Sequence, residues 1–184
     1  MDAFQGELNV LEQYAERWGI IFNLDKCHVV KFGAQALSNR IYFMNGKAIG
    51  CVESFKYLGV TIANDFSWDL HIDEIAAKAS QRLGFIKHVL FDAPRKVKRV
   101  AYLTLCRPLL EYACEVWDPF IVRQMKLLDN VQQRAVHFIA GLKGRESISE
   151  AREILGLEVL ELRRKNFRVA LMLKILSMRY RLLL

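Results

Sequence analysis

The sequence predicts an α+β fold in which a small set of antiparallel strands precedes a mostly helical region. In the first third of the chain, short β-branched and aromatic segments alternate with turn residues, which is typical of strands. From about Ser67 onward the apolar period is helical, and no strand pattern returns. The 184 residues are enough for one large domain or two small ones. We place the domains at residues 1–65 and 66–184.

The first domain is predicted to contain one helix and several strands. Apolar residues at helical spacing mark a helix over residues 7–18, ended by Gly19. Residues 26–32 have the β-branched centre of a strand, and Asn45-Gly46 is a strong hairpin signal between two apolar arms. The segment "SFKYLGVTI" reads as a single strand with Gly59 inside it. A glycine there indicates a bulge or the close approach of another backbone.

The second domain is predicted to be a series of helices. A helix capped by Ser67 or Asp69 extends to about Leu90, and Pro94 lies where the next helix can begin. Pro108 predicts a kink or a break in that helix. The remaining signals are a helix over about 122–140 that stops at Gly141, a capping box at Ser147 and Glu150, and a last helix from about Glu158.

Composition favours a polyanionic partner and a reducing compartment. The chain has 27 Lys and Arg against 20 Asp and Glu, a net charge of +7, which favours nucleic acid before a membrane surface. The four cysteines form no C-x-x-C pair, so reduced thiols are expected. Neither a signal peptide nor a membrane span is predicted, and we expect a nuclear or cytoplasmic protein. The sequence ends inside an apolar helical pattern without a stop signal. We interpret both ends of the chain as truncated.

The residues themselves do not supply a catalytic site. The sequence contains no nucleophile elbow, P-loop or H-E-x-x-H motif, and no two aspartates are adjacent. Two-metal phosphoryl transfer requires carboxylates that hold ions about 4 Å apart. We therefore predict no metal site and no cofactor in this chain.

The order of the motifs resembles one enzyme family. "LEQYAERWGIIFNLDKCHVVKFG", "NGKAI" and "VESFKYLGVTIANDFSWDLHIDEIAAKASQRLGFIK" resemble the region just after the catalytic hairpin of non-LTR (LINE-type) retrotransposon reverse transcriptases. "VKRVAYLTLCRPLLEYACEVWDP", "KLLDNVQQRAVHFI" and "LGLEVLELRRKNFRVALMLKIL" resemble the helical region that follows in the same family. The resemblance covers nearly the whole chain.

The resemblance implies a part of an RNA-directed DNA polymerase. Residues 1–65 would be a partial palm and residues 66–184 the thumb and connection, and the partner would be an RNA or DNA primer–template. Mg²⁺ is implied only for the complete enzyme, because the family's metal-binding aspartate motifs do not occur in these residues. We therefore expect the chain to extend no primer on its own. A non-catalytic nucleic-acid-binding module and a helical protein-interaction module are the alternatives.

Two family motifs imply roles for residues of the first domain. "WGIIFNLDKC" matches motif D, which makes Lys26 a candidate proton donor to the pyrophosphate leaving group in a complete enzyme. "FKYLGV" matches motif E, the primer grip, which implies that Tyr57, Leu58 and Gly59 meet the primer backbone. The alternatives are an ordinary solvated lysine and plain core packing of Tyr57 and Leu58.

Two basic clusters are candidate phosphate contacts of the second domain. The first comprises Arg95, Lys96, Lys98 and Arg99, and the second Arg163, Arg164, Lys165 and Arg168. Each could instead be a solvated helix face.

The strands would also present an open edge of the palm sheet, from which we expect self-association.

Overall fold

The computed structural model describes residues 3–33, 40–143 and 146–181. Contacts divide the chain into two units, residues 1–68 and 69–184. All strands among the described residues lie in the first unit, and the second is helical. The α+β prediction is therefore confirmed. The identification of the two units as palm and thumb stays a prediction.

The first unit combines one long helix with short strands. Helix α1 spans Ala3–Trp18, and Gly19 follows it at a φ of +65°. A 3-10 turn at Leu24–Lys26 occupies the start of the strand predicted over 26–32, of which only His28 and Val29 belong to a strand. The strands are β1 (His28–Val29), β2 (Tyr42–Met44), β3 (Lys47–Cys51), β4 (Ser54–Tyr57) and β5 (Val60–Ala63).

The strands form two small sheets. In the first, β2 and β3 are antiparallel and meet at Asn45 and Gly46, whose φ angles are +49° and +71°. Positive φ at both positions suits a two-residue hairpin turn, as predicted. Strand β1 pairs with β3 in parallel. The predicted set is therefore not wholly antiparallel, because β3 lies centrally and β1 runs in its direction.

The segment predicted as one strand around Gly59 is a separate hairpin. Strands β4 and β5 pair antiparallel, with Tyr57 opposite Val60. Leu58 and Gly59 form the turn between them at φ angles of +46° and +88°. The interpretation of Gly59 as a bulge is therefore wrong. Glycine accepts this backbone conformation without steric cost, and it reverses the chain here.

The second unit is a set of helices in which predicted and observed bounds agree closely. Helix α6 covers Val122–Ala140 and ends at Gly141, whose φ is +71°. Ser147 Oγ accepts a hydrogen bond from the Glu150 amide at 3.3 Å, which is half of the predicted capping box. The other helices are α2 (Asp69–Val89), α3 (Arg95–Ala101), α4 (Arg107–Glu111), α5 (Cys114–Trp117), α7 (Ile148–Ile154) and α8 (Leu160–Arg181).

Pro108 does not break its helix. A π-helical turn over Tyr102–Cys106 joins α3 to α4, and Pro108 lies in the first turn of α4. The wider turn just before proline accommodates the missing amide hydrogen bond. The chain changes direction later, at Ala113, whose φ is +52°. The irregularity predicted at Pro108 is therefore a local widening of the helix.

Helices α2, α4 and α6 enclose the core of the second unit. Ile72, Tyr102, Leu110 and Leu128 are fully buried within it. Leu70 is apolar but 55% exposed, and His71 and Ile72 are buried instead. The first turn of α2 is thus rotated from the face that the apolar pattern indicates. No helix in the described ranges is both long and apolar enough to cross a membrane.

Burial separates the four thiols into two classes. Burial raises the pKa of Cys106 to about 11 and that of Cys114 to about 12, whereas Cys51 is exposed and Cys27 half-buried. Because the thiolate is the reactive form, we expect an alkylating reagent at pH 8 to modify Cys51 and Cys27 first. Cys106 and Cys114 should react only after urea is added, as peptide mass spectrometry would show. Modification of all four thiols in native protein would contradict this packing.

Candidate nucleic-acid interface

Lys26 lines an open groove in the first unit. It ends the 3-10 turn, in which Asn23 Oδ1 accepts a hydrogen bond from the Asp25 amide at 3.2 Å. Lys26, His28 and Lys56 line the same groove, which has a volume of about 740 Å³. The fold thus brings Lys26 and Lys56 to one groove, whereas the predicted primer-grip residues Tyr57, Leu58 and Gly59 do not line it. Its role as a proton donor stays a prediction.

The predicted primer-grip residues form the tip of the β4–β5 hairpin. Tyr57 is 61% exposed and Leu58 is 73% exposed. The alternative of core packing is therefore wrong for these two side chains within this chain. Leu58 also has a positive φ, which is uncommon for a residue with a branched side chain. An exposed aromatic and an exposed leucine on a tight turn form a surface suited to contact with another molecule.

The first basic cluster lies at the start of α3, and part of it holds neighbouring helices. Arg99 donates from Nε to the Leu155 carbonyl at 2.6 Å and from Nη2 to the Gly156 carbonyl at 3.4 Å. Arg95 Nη2 donates to the Ala140 carbonyl at 3.0 Å. These carbonyls lie at the C-terminal ends of α7 and α6, where cations are favourable.

The remaining members of this cluster are the lysines. Lys98 Nζ lies 4.7 Å from the centre of the Phe138 ring, and Lys96 is exposed. Among the described residues, no carboxylate forms an ion pair with either lysine or with the two arginines. The four cations thus lie along α3, where Arg95 and Lys96 are exposed and Lys98 and Arg99 are half-buried.

The second predicted cluster is divided by the helix on which it lies. Arg164 is fully buried and donates from Nε to Asp118 Oδ1 at 2.6 Å. Arg168 Nη2 lies 3.1 Å from Asp118 Oδ2, and Arg163 pairs with Glu111 and Glu158. A phosphate contact by Arg164 does not agree with its burial. Consecutive helical residues point in directions about 100° apart, so a charged segment cannot lie on one face.

Among the described residues, Lys165 is the member of the second cluster without an ion-pair partner. Its side chain is exposed, and within the described part of the chain it forms no ion pair. The ion pairs of Arg163 and Arg164 instead join α8 to residues near the ends of α4 and α5. Their contribution is to the packing of the second unit.

A basic group that the sequence does not predict lies near the α3 cluster. Lys87 of α2 has its ammonium 6.0 Å from the Phe138 ring, the same ring that Lys98 contacts. Lys87 and Arg134 of α6 line one groove together with His137. Lys87 and Arg134 are far apart in sequence. The packing of α2 against α6 brings them together, and no motif in the sequence marks this.

Comparison with known proteins supports the family that the motifs predict. Over 142 residues, 74% of this chain and 15% of the relative, the chain is 25% identical to the RNA-directed DNA polymerase from mobile element jockey of Drosophila melanogaster. The corresponding protein of Drosophila funebris is 23% identical over 145 residues, 76% of this chain and 16% of the relative.

The chain spans less than a fifth of the length of these curated relatives. No protein-family model matches it, and no solved structure matches it significantly. The two relatives nevertheless match about three quarters of the chain, and both come from a LINE-type element. The chain is therefore related to a segment of a non-LTR retrotransposon reverse transcriptase, which confirms the family that its motifs predict.

Proposed function

We propose that this chain contributes the primer grip and the duplex-binding thumb to an RNA-directed DNA polymerase. The exposed hairpin tip of Tyr57, Leu58 and Gly59 meets the primer strand, and the α3 cluster contacts phosphates of the duplex. The observation that carries the proposal is the α3 cluster itself. Its four cations lie together without a carboxylate partner among the described residues, an arrangement that leaves their charge available to a polyanion.

We further propose that catalysis depends on carboxylates outside these 184 residues. No two aspartates are adjacent in the sequence, whereas phosphoryl transfer of this class uses carboxylates that hold two metal ions about 4 Å apart. Mg²⁺ then belongs to the complete enzyme, in which Lys26 would supply the proton to pyrophosphate. Such an enzyme would act inside the cell, in the nucleus or the cytoplasm, where its template is.

A salt titration of duplex binding tests the α3 cluster. Each phosphate contact contributes about −0.9 to the slope of log affinity against log salt. We expect Lys96→Gln/Lys98→Gln to flatten the slope for a labelled primer–template by up to about two units. Arg99 stays unchanged, because its hydrogen bonds hold α7. The measurement is fluorescence anisotropy at several salt concentrations, repeated on an unrelated duplex of equal length. Affinities for the two duplexes should agree, because phosphates carry no base information.

The matched control removes two charges elsewhere on the second unit. Lys78 pairs with Glu74 at 2.6 Å, and Lys174 lies on α8. Lys78→Gln/Lys174→Gln should leave the slope unchanged. Equal slopes for the α3 variant and the wild type, or no salt-dependent binding at all, would contradict the proposal.

A protein-interaction module is the second candidate, and α8 favours it. Beyond Arg164, the helix exposes apolar side chains on several sides, among them Leu173 and Ile175. Apolar side chains exposed next to one another in this way are normally covered by protein. This candidate function does not exclude the first, since the apolar segment and the α3 cluster involve different residues.

A further inference from the structure

A groove between α2 and α6 combines basic side chains with side-chain amides. It is lined by Lys87, Asn130, Gln133, Arg134 and His137, and has a volume of about 560 Å³. Leu127 and Ile148 complete the lining. None of the described lining residues carries a carboxylate. The groove therefore presents hydrogen-bond donors and positive charge, the combination that binds anions.

Arg134 is held in place at the groove by neutral partners. Its Nη2 donates to Ser80 Oγ at 2.6 Å and its Nε donates to the Asn130 carbonyl at 3.3 Å. Neither contact neutralises the charge of the guanidinium. Ser80 lies two turns before Lys87 on the same helix, so Arg134 is fixed on the side of α2 that carries Lys87.

Lys87 lies in an unfavourable environment for a cation. Burial lowers its pKa, and the positive charge of Arg134 lowers it further. No carboxylate among the described residues pairs with Lys87. Two cations held close together without a counter-charge repel each other, and an anion bound between them would relieve the repulsion.

The groove is continuous with the α3 cluster. Lys87 and Lys98 both contact the Phe138 ring, at 6.0 and 4.7 Å from its centre. Beyond this ring, Arg95 Nη2 reaches the Ala140 carbonyl at 3.0 Å. From Arg134 to Ala140 the helix rises about 9 Å, at about 1.5 Å per residue. Cations therefore follow the last turns of α6 from the groove to the start of α3.

We propose that this groove binds the phosphodiester backbone of a nucleic-acid strand, which follows α6 from Arg134 to the α3 cluster. Lys87 and Arg134 each neutralise one phosphate, and the amides of Asn130 and Gln133 donate to phosphate oxygens. The contact is independent of sequence, because no base edge is read. This inference rests on the proposed function, since the same strand contacts the α3 cluster.

The test is the salt dependence of primer–template binding by the full chain with the groove altered. We expect Lys87→Gln/Arg134→Gln to flatten the slope by up to about two units, and Lys87→Arg/Arg134→Lys, which keeps both charges, to restore most of it. The control variant Lys78→Gln/Lys174→Gln removes the same number of positive charges as the groove variant. Lys78 lies nine residues before Lys87, half a rotation away on the opposite face of α2.

The possible outcomes distinguish a failure of the groove inference from a failure of the proposed function. If the wild type shows no salt-dependent binding, the proposed function fails. If the wild type binds and the groove variant keeps its slope, or the control variant loses as much, the groove inference alone is overturned. Polyglutamate at equal charge concentration should compete weakly. Strong competition that the groove variant abolishes would identify an acidic protein as the ligand and overturn the assignment to nucleic acid.

Discussion

Asp118→Ala is expected to destabilise the second unit by about 3–5 kcal/mol, because it leaves a buried guanidinium without its counter-charge. Arg164 is fully buried, and the Asp118 side chain is only 6% exposed. The two are joined by the bond from Arg164 Nε to Asp118 Oδ1, and Arg168 holds the other carboxylate oxygen. Few other single substitutions in this chain would leave so deeply buried a charge without its ion-pair partner.

Arg164→Met should cost less than Asp118→Ala. Asp118 would retain its ion pair with Arg168, which is about half exposed and brings the carboxylate close to solvent. The change would also remove Arg164 Nη1 and Nη2, which are buried without a hydrogen-bond partner among the described residues. Such groups carry a desolvation cost of about 1–3 kcal/mol each. The double variant Asp118→Ala/Arg164→Met should therefore be more stable than Asp118→Ala alone.

Urea unfolding followed by tryptophan emission would measure these differences. Trp117 precedes Asp118 and is almost fully buried, so its exposure on unfolding should shift the emission, whereas Trp18 is already exposed in the folded chain. Lys165→Met serves as the control, because Lys165 is adjacent to Arg164 but exposed, and we expect a change within about 0.5 kcal/mol. A double variant that is less stable than Asp118→Ala would show that Arg164 stabilises the core by its packing rather than through the ion pair.

The helices of the second unit were predictable because local signals and tertiary packing agree. The pattern over α6 and the glycine that ends it define both ends of that helix. The Asn45-Gly46 turn was predictable for the same reason, since both residues tolerate positive φ. The second hairpin was missed because Leu58 takes a positive φ that its side chain disfavours. Only its pairing with β5 reveals the turn.

The candidate interface was less predictable, because charge in sequence differs from charge on a surface. Arg163, Arg164 and Lys165 are consecutive. Arg163 and Arg164 form ion pairs within the chain, whereas Lys165 is exposed to solvent. Lys87 and Arg134 are far apart in sequence, and the packing of α2 against α6 places them in one groove. A charged segment indicates that cations are present, but the helix phase decides which of them reach solvent.

The chain is also expected to self-associate, and α8 should contribute more than the strands do. From Phe167 to Met178 the helix exposes eight apolar side chains to between 36% and 63% of their surface. At about 150–200 Å² for each full side chain, these fractions correspond to roughly 600–800 Å² of apolar surface. A stable interface buries about 800 Å² per partner, and because these side chains lie on several sides of α8, more than one partner helix would be needed to cover them all.

Two double variants, one on α8 and one on the β4–β5 hairpin, test which of these surfaces mediates self-association. We expect Leu173→Lys/Leu176→Lys to weaken association at least tenfold, because a buried ammonium without a partner costs more than the 1.4 kcal/mol that a tenfold change requires. Both residues are exposed, so the fold should tolerate the change. The comparison variant, Tyr57→Ser/Leu58→Ser, alters the hairpin tip in the first unit. Sedimentation equilibrium of wild type and both variants measures the effect. Dissociation by the hairpin variant alone would place association on the β4–β5 hairpin of the first unit, and a monomeric wild type would contradict both surfaces.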